Sequence, residues 1–141
     1  LPAGARRLHP SRMAVELNHT IIHARDKRES ADFLAELFGL APPQRFGPFM
    51  VVKTANGVSL DFIDDPSGTI LSRHFAFLVS EREFDEIFAR IKERGLDYWA
   101  DPARKMKGEI NHYDGGRGVY FCDPSGHFLE IITRPHGSGG G

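Results

Sequence analysis

The sequence predicts an α+β fold, in which two βαβββ modules form an open, cupped mixed sheet with helices on its outer face. Three observations lead there. Two segments carry apolar residues at helical spacing behind a capping residue. Each is flanked by short runs with strand character, separated by turn signals. The order of elements in the first half of the chain recurs in the second.

The first strand is predicted over residues 14–24, where Val15, Leu17, His19, Ile21 and His23 share one face. Asp26 then opens a helix, with Glu29 three residues on, as in a capping box. Phe33, Leu34, Leu37 and Phe38 form the apolar stripe, and Gly39 stands where a left-handed cap would end it. Past Pro42 and Pro43, strands are predicted over 44–46, 49–54 and 58–63. Asn56-Gly57 between the last two is a hairpin signal.

The second half begins with a strand over 73–79, followed by Ser80 and Glu83 as a second capping box. Phe84, Ile87, Phe88 and Ile91 mark an amphipathic helix that Gly95 ends. A short strand over 96–100 and a polar stretch over 101–114 follow. Strands over 119–122 and 128–133 then flank the turn Asp123-Pro124-Ser125-Gly126. His19 and Gly39-Leu40 align with His74 and Gly95-Leu96 at an offset of about 55 residues. Leu60-Asp61-Phe62-Ile63 matches Leu129-Glu130-Ile131-Ile132 in pattern. Two such copies should be related by a pseudo-two-fold axis, with equivalent residues facing each other. The domain is therefore expected over 14–134, as modules 14–68 and 69–134. Residues 1–13 read as a flexible segment, with Met13 a candidate native start. Residues 135–141 read as a flexible tail or an expression remnant.

A chain of 141 residues suits one domain with a real core. A net charge of −1 gives no reason to expect nucleic acid or an anionic membrane as partner. No apolar run is long enough to span a bilayer, and no signal peptide is visible. Cys122 is the single cysteine, which excludes an internal disulfide and fits a reducing, cytoplasmic compartment.

Four polar residues stand at equivalent places in the two copies. His19 and His74 lie in the first strands, Asp61 and Glu130 in the last. A carboxylate between Leu129 and Ile131 is costly to bury unless it is paired or bound to a metal. Two imidazoles and one or two carboxylates make an N/O ligand set for one first-row divalent ion, with positions left open for substrate. His19, His74 and Glu130 are the candidate metal ligands, and Asp61 is a candidate fourth. His23 shares the face of His19 and is read as a supporting residue.

These residues, with Leu17-Asn18-His19, Arg73-His74-Phe75-Ala76-Phe77 and the block from Gly118 to Glu130, resemble the vicinal oxygen chelate superfamily. That superfamily includes glyoxalase I, fosfomycin resistance enzymes, extradiol dioxygenases and bleomycin-binding proteins. The resemblance implies histidine ligands from the first strand of each module and a carboxylate from the strand after the Asp-Pro turn. It implies one metal ion (Fe, Mn, Zn or Ni), a small-molecule substrate chelated through two oxygens, and a homodimer. Either a lyase or isomerase of glyoxalase type or an extradiol-type dioxygenase is implied. The alternative is a non-catalytic protein that sequesters a small molecule or antibiotic. Tyr120 and His112 stand where relatives place catalytic side chains. Arg117 is a candidate contact for an anionic substrate, and Trp99, with Tyr98 and Phe49, for an aromatic groove.

Overall fold

Both helices start where their capping residues dictate in the computed structural model, which describes residues 14–139. The Asp26 carboxylate accepts from the backbone N–H groups of Arg28 and Glu29. This satisfies donors that α1 (Lys27–Phe38) leaves without intrahelical partners. A third donor, the Lys27 N–H, goes to the carboxylate of Asp64. Gly39, at φ 66°, closes α1 in the left-handed conformation expected of it. At α2 (Glu81–Glu93) the box is complete. The Ser80 hydroxyl accepts from the Glu83 N–H, and the Glu83 carboxylate accepts from the Ser80 N–H.

The strands form two four-stranded mixed sheets. The first holds β1 (His19–Ala24), β2 (Gln44–Phe46), β3 (Phe49–Lys53) and β4 (Ser59–Asp64), in the order β1-β4-β3-β2. The second holds β5 (His74–Leu78), β6 (Tyr98–Trp99), β7 (Gly118–Cys122) and β8 (Phe128–Ile132), in the order β5-β8-β7-β6. In each, the first strand runs parallel to the last. The register confirms the repeat: His19 and His74 open their strands, Asp61 pairs with Ile21, and Glu130 pairs with Ala76. One expectation needs correction. The first strand starts at His19, not at residue 14. The last backbone bond between these strands, from the Ser59 N–H to the Asn18 carbonyl, is reached there, and among the described residues no strand pairs with the chain before it.

Alternation buries one face of each sheet. Ile22, Met50, Val52, Leu60 and Phe62 from the first sheet join Val119, Phe121, Leu129 and Ile131 from the second in one core with α1 and α2. Phe38 of α1 bridges them, its ring 4.7 Å from Phe77 and 6.4 Å from Phe121. Polar contacts tie the modules as well. His127, 1 % exposed, accepts the Arg73 N–H on Nδ1 at 3.0 Å. Its Nε2 must then carry the proton, which it donates to the His23 carbonyl at 2.7 Å. Arg25 donates to the Pro124 carbonyl, and the Arg90 guanidinium to that of Leu37.

Gly118 answers a close approach. A Cβ there would meet the Asn111 side chain at 2.7 Å, and Asn111 is held by a bridge to Gly118 and a bond to the Ala100 carbonyl. Residues 1–13, expected to be flexible, lie outside the described residues. The described part of the tail is anchored: the N–H groups of Gly137 and Gly139 donate to the Asp114 carboxylate.

Candidate metal centre

The unburied face of each sheet carries one half of the polar set. On the second sheet, β5 and β8 are parallel neighbours, and their side chains on this face include His74, Phe128 and Glu130. His74 Nε2 lies 3.1 Å from Glu130 Oε1, and its Nδ1 lies 2.9 Å from the Phe128 carbonyl oxygen. Glu130 is only 8 % exposed. Tyr120, directly across from Glu130 on β7, stacks on His74 at 5.9 Å and on Phe128 at 5.2 Å. Burial, then the neighbouring Glu130 carboxylate, pushes the Tyr120 phenol well above the usual tyrosine range.

On the first sheet, His19 and Asp61 share the unburied face with Ile21 and Val51 in a groove of about 530 Å³. Arg45 and Lys53 add positive charge to it, and Phe46 and Phe49 add aromatic surface. His19 Nδ1 lies 2.8 Å from the Asn18 side-chain oxygen, and the Ser59 hydroxyl donates to Asp61 at 2.6 Å.

A single chain brings His74 and Glu130 together but does not bring His19 to them. Among the described residues, no group of three or more histidine, cysteine, aspartate and glutamate side chains is placed to hold one ion. The residues nevertheless fit a divalent ion. A backbone carbonyl only accepts, so Nδ1 of His74 carries its proton toward Phe128. In the neutral ring, Nε2 and Glu130 Oε1 are then two lone-pair atoms facing each other at 3.1 Å. That arrangement calls for a proton or a metal ion between them. Orientation of an imidazole through a carbonyl on its other nitrogen is the usual support for a metal-binding histidine. Asn18 does the same for His19.

The other predicted residues are divided. Trp99 lies on the face of His74, its ring 6.1 Å from Phe128. Tyr98 packs edge-on against Phe88 of α2, on the opposite face. His112 lies in the loop before β7 and holds the Gly116 carbonyl at 3.1 Å. Arg117 does not reach the unburied face. It pairs with Glu81 at 2.7 Å and Asp85 at 2.8 Å, over the ring of Phe84, and clamps α2. His23 pairs with Asp65 at 3.2 Å. Two residues not singled out from the sequence bear on the site: Asn18, which orients His19, and Arg104, whose guanidinium lies over Phe128 and Trp99. Asn18 stands in the Leu17-Asn18-His19 motif but has no spacing signal of its own, and Arg104 lies in an aperiodic polar stretch.

Comparison with known proteins agrees with this architecture. The family model for the Glyoxalase/Bleomycin resistance protein/Dioxygenase superfamily matches residues 16–131. The solved structure of Oxidase ChaP-H1 is 64% identical, covers 88% of this chain and 99% of its own, and superposes with a TM-score of 0.85. That of Oxidase ChaP-H2 is 60% identical, covers 90% and 99%, and gives 0.87. Glutathione transferase FosA of Serratia marcescens is 28% identical over 124 residues, 84% of this chain and 81% of that protein.

Proposed function

Because the chain belongs to the Glyoxalase/Bleomycin resistance protein/Dioxygenase superfamily, we propose that it is a metal-dependent oxidase of a small organic substrate, with its metal centre shared between two copies of the chain. The His74–Glu130 pair carries this reading, since its facing lone-pair atoms suit a divalent ion as well as a proton between them. Similarity to two proteins named as oxidases, at 64% and 60% identity, favours oxygen chemistry over isomerisation.

The third ligand is His19 of the partner subunit. Both unburied faces support the pairing: the first exposes Ile21 and Phe46, the second Leu78, apolar surface that a second copy would cover. In a two-fold dimer, the first sheet of each copy meets the second sheet of the other, which gives two identical centres. Asp61, steadied by Ser59, is the candidate fourth ligand. A bound divalent ion, Fe, Mn, Zn or Ni, would polarise adjacent substrate oxygens and, if redox-active, pass electrons. Tyr120 keeps its proton and donates a hydrogen bond to a substrate oxygen beside Glu130. Trp99 and Phe128 offer a flat substrate an aromatic floor.

The test is elemental analysis of protein purified without added metal, followed by oxygen uptake with a panel of catechols and hydroquinones. Metal in the wild type, lost in both His74→Ala and His19→Ala, together with substrate-dependent oxygen uptake, is the expected result. Full metal retention by either variant overturns the shared centre. A wild type that binds none of Fe(II), Mn(II), Ni(II) and Zn(II) points instead to a sequestering protein. Turnover of a methylglyoxal–glutathione hemithioacetal without oxygen uptake would replace the oxidase by an isomerase.

A further inference from the structure

We propose that Arg104 anchors the carboxylate of an aromatic acid substrate on the unburied face of the second sheet; this rests on reading that face as the substrate floor. The loop that carries Arg104 is a fixed structure. It returns along the edge of β6, where Trp99 pairs with Lys107, the Ala100 N–H donates to the Met106 carbonyl, and the Gly108 N–H donates to that of Tyr98. The Asp101 carboxylate grips the turn, accepting from the backbone N–H of Lys105 at 3.0 Å and of Met106 at 2.7 Å. Burial opposes the charge on Asp101, but those backbone donors outweigh it and hold the carboxyl below its usual range.

At the tip, Arg104 has φ 59°, a conformation that glycine or asparagine adopts more readily. The turn thus holds an arginine where sterics favour a smaller residue. Its guanidinium lies 4.5 Å from the centre of the Phe128 ring and 5.2 Å from that of Trp99. Phe128 stacks in turn on Tyr120 and lies 6.0 Å from His74, so the cation sits one ring away from the His74–Glu130 pair.

The guanidinium is held by rings and not by an acid. Arg82, Arg94 and Arg117 each pair with a glutamate, whereas Arg104 makes no ion pair and no side-chain hydrogen bond among the described residues. Its N–H donors are therefore available to a ligand, and their fork matches a carboxylate in two parallel bonds. The rings beside it suit an aromatic body attached to that carboxylate. The groove of the first sheet, which would close over this face in the dimer, adds Arg45 and Lys53, and neither forms an ion pair among the described residues. Both walls then favour an anion.

The experiment uses 4-fluorobenzoate and its neutral analogue 4-fluorobenzamide, with 19F line broadening as the readout on metal-stripped protein. Wild type is expected to bind the benzoate about tenfold more tightly than the benzamide. Arg104→Gly removes the guanidinium at a position whose backbone glycine accepts, so the loop should keep its shape, as near-ultraviolet circular dichroism of Trp99 would report. This variant should lose most of the benzoate preference and bind the benzamide as before; Arg104→Lys should keep part of it. Retention of the preference in Arg104→Gly, or its absence in the wild type, overturns the assignment. Because metal is removed throughout, these outcomes speak to Arg104 alone, whereas metal retention by His74→Ala speaks to the shared centre alone.

Discussion

His74 and Glu130 face each other across neighbouring parallel strands, Nε2 to Oε1 at 3.1 Å, while the Nδ1 proton of the same imidazole is committed to the Phe128 carbonyl. The pairing follows from register. His74 sits opposite Phe128 at the start of β5, and Glu130 lies two residues further along β8 on the same face. His19 and Asp61 repeat the relationship between β1 and β4. Each sheet therefore carries one such histidine and carboxylate on its unburied face.

Two inactive variants should restore each other. Chains with His19→Ala and chains with His74→Ala, unfolded together in equal amounts and refolded, form mixed dimers with one intact centre of two. Statistical pairing predicts about one quarter of the wild-type metal content and activity. Equal loss in the mixture and in the separate variants would mean that the halves do not meet across subunits.

Tyr120 should give the protein an alkaline limit. Its folded pKa is raised above the ordinary value of 10.0 by burial and by the Glu130 charge. Above about pH 10 the unfolded chain releases this proton while the folded chain retains it. The contribution is complete below that pH and is lost as pH rises toward the folded value. Urea unfolding of Tyr120→Phe should show a shallower loss of stability above pH 10 than wild type, and phenolate absorbance should lose its latest-titrating component. An unchanged titration curve would contradict the assignment.

His127→Ala should destabilise the fold by about 2–4 kcal/mol. It empties a buried site and leaves the Arg73 N–H and the His23 carbonyl without partners. Because these groups belong to different modules, urea unfolding should also become less cooperative. A loss below about 1 kcal/mol would place the inter-module stability in the apolar core instead.

Arg117→Met should leave metal content and benzoate binding unchanged and lower stability by about 1 kcal/mol, because its ion pairs to Glu81 and Asp85 lie near the surface. Weakened benzoate binding without a change in stability would return Arg117 to the substrate.

Much of this was readable from residue order. The repeat, both helix starts and the equivalence of Asp61 with Glu130 all follow from pattern and are matched by register. The direction of Arg117 was legible: it shares its parity with Val119 and Phe121, which face the core, and not with Tyr120. The start of the first strand was overestimated because apolar alternation at Val15 and Leu17 says nothing about whether a partner backbone lies opposite. Arg104 had no signal at all. Its placement depends on the grip of Asp101 on the turn, a tertiary arrangement within a stretch without periodicity. That one chain keeps His19 apart from the His74–Glu130 pair was also hidden, since it depends on how the two modules pack through Phe38 and His127.

That locking has a kinetic consequence. Both sheets contribute to one core, so on the proposed reading a lone chain would hold two separate half-centres. On the proposed reading, turnover requires an encounter. At dilutions where the dimer comes apart, the rate should rise with the square of protein concentration and become linear only once pairing saturates. Protein abundance would then switch the enzyme on without any change of shape in the chain.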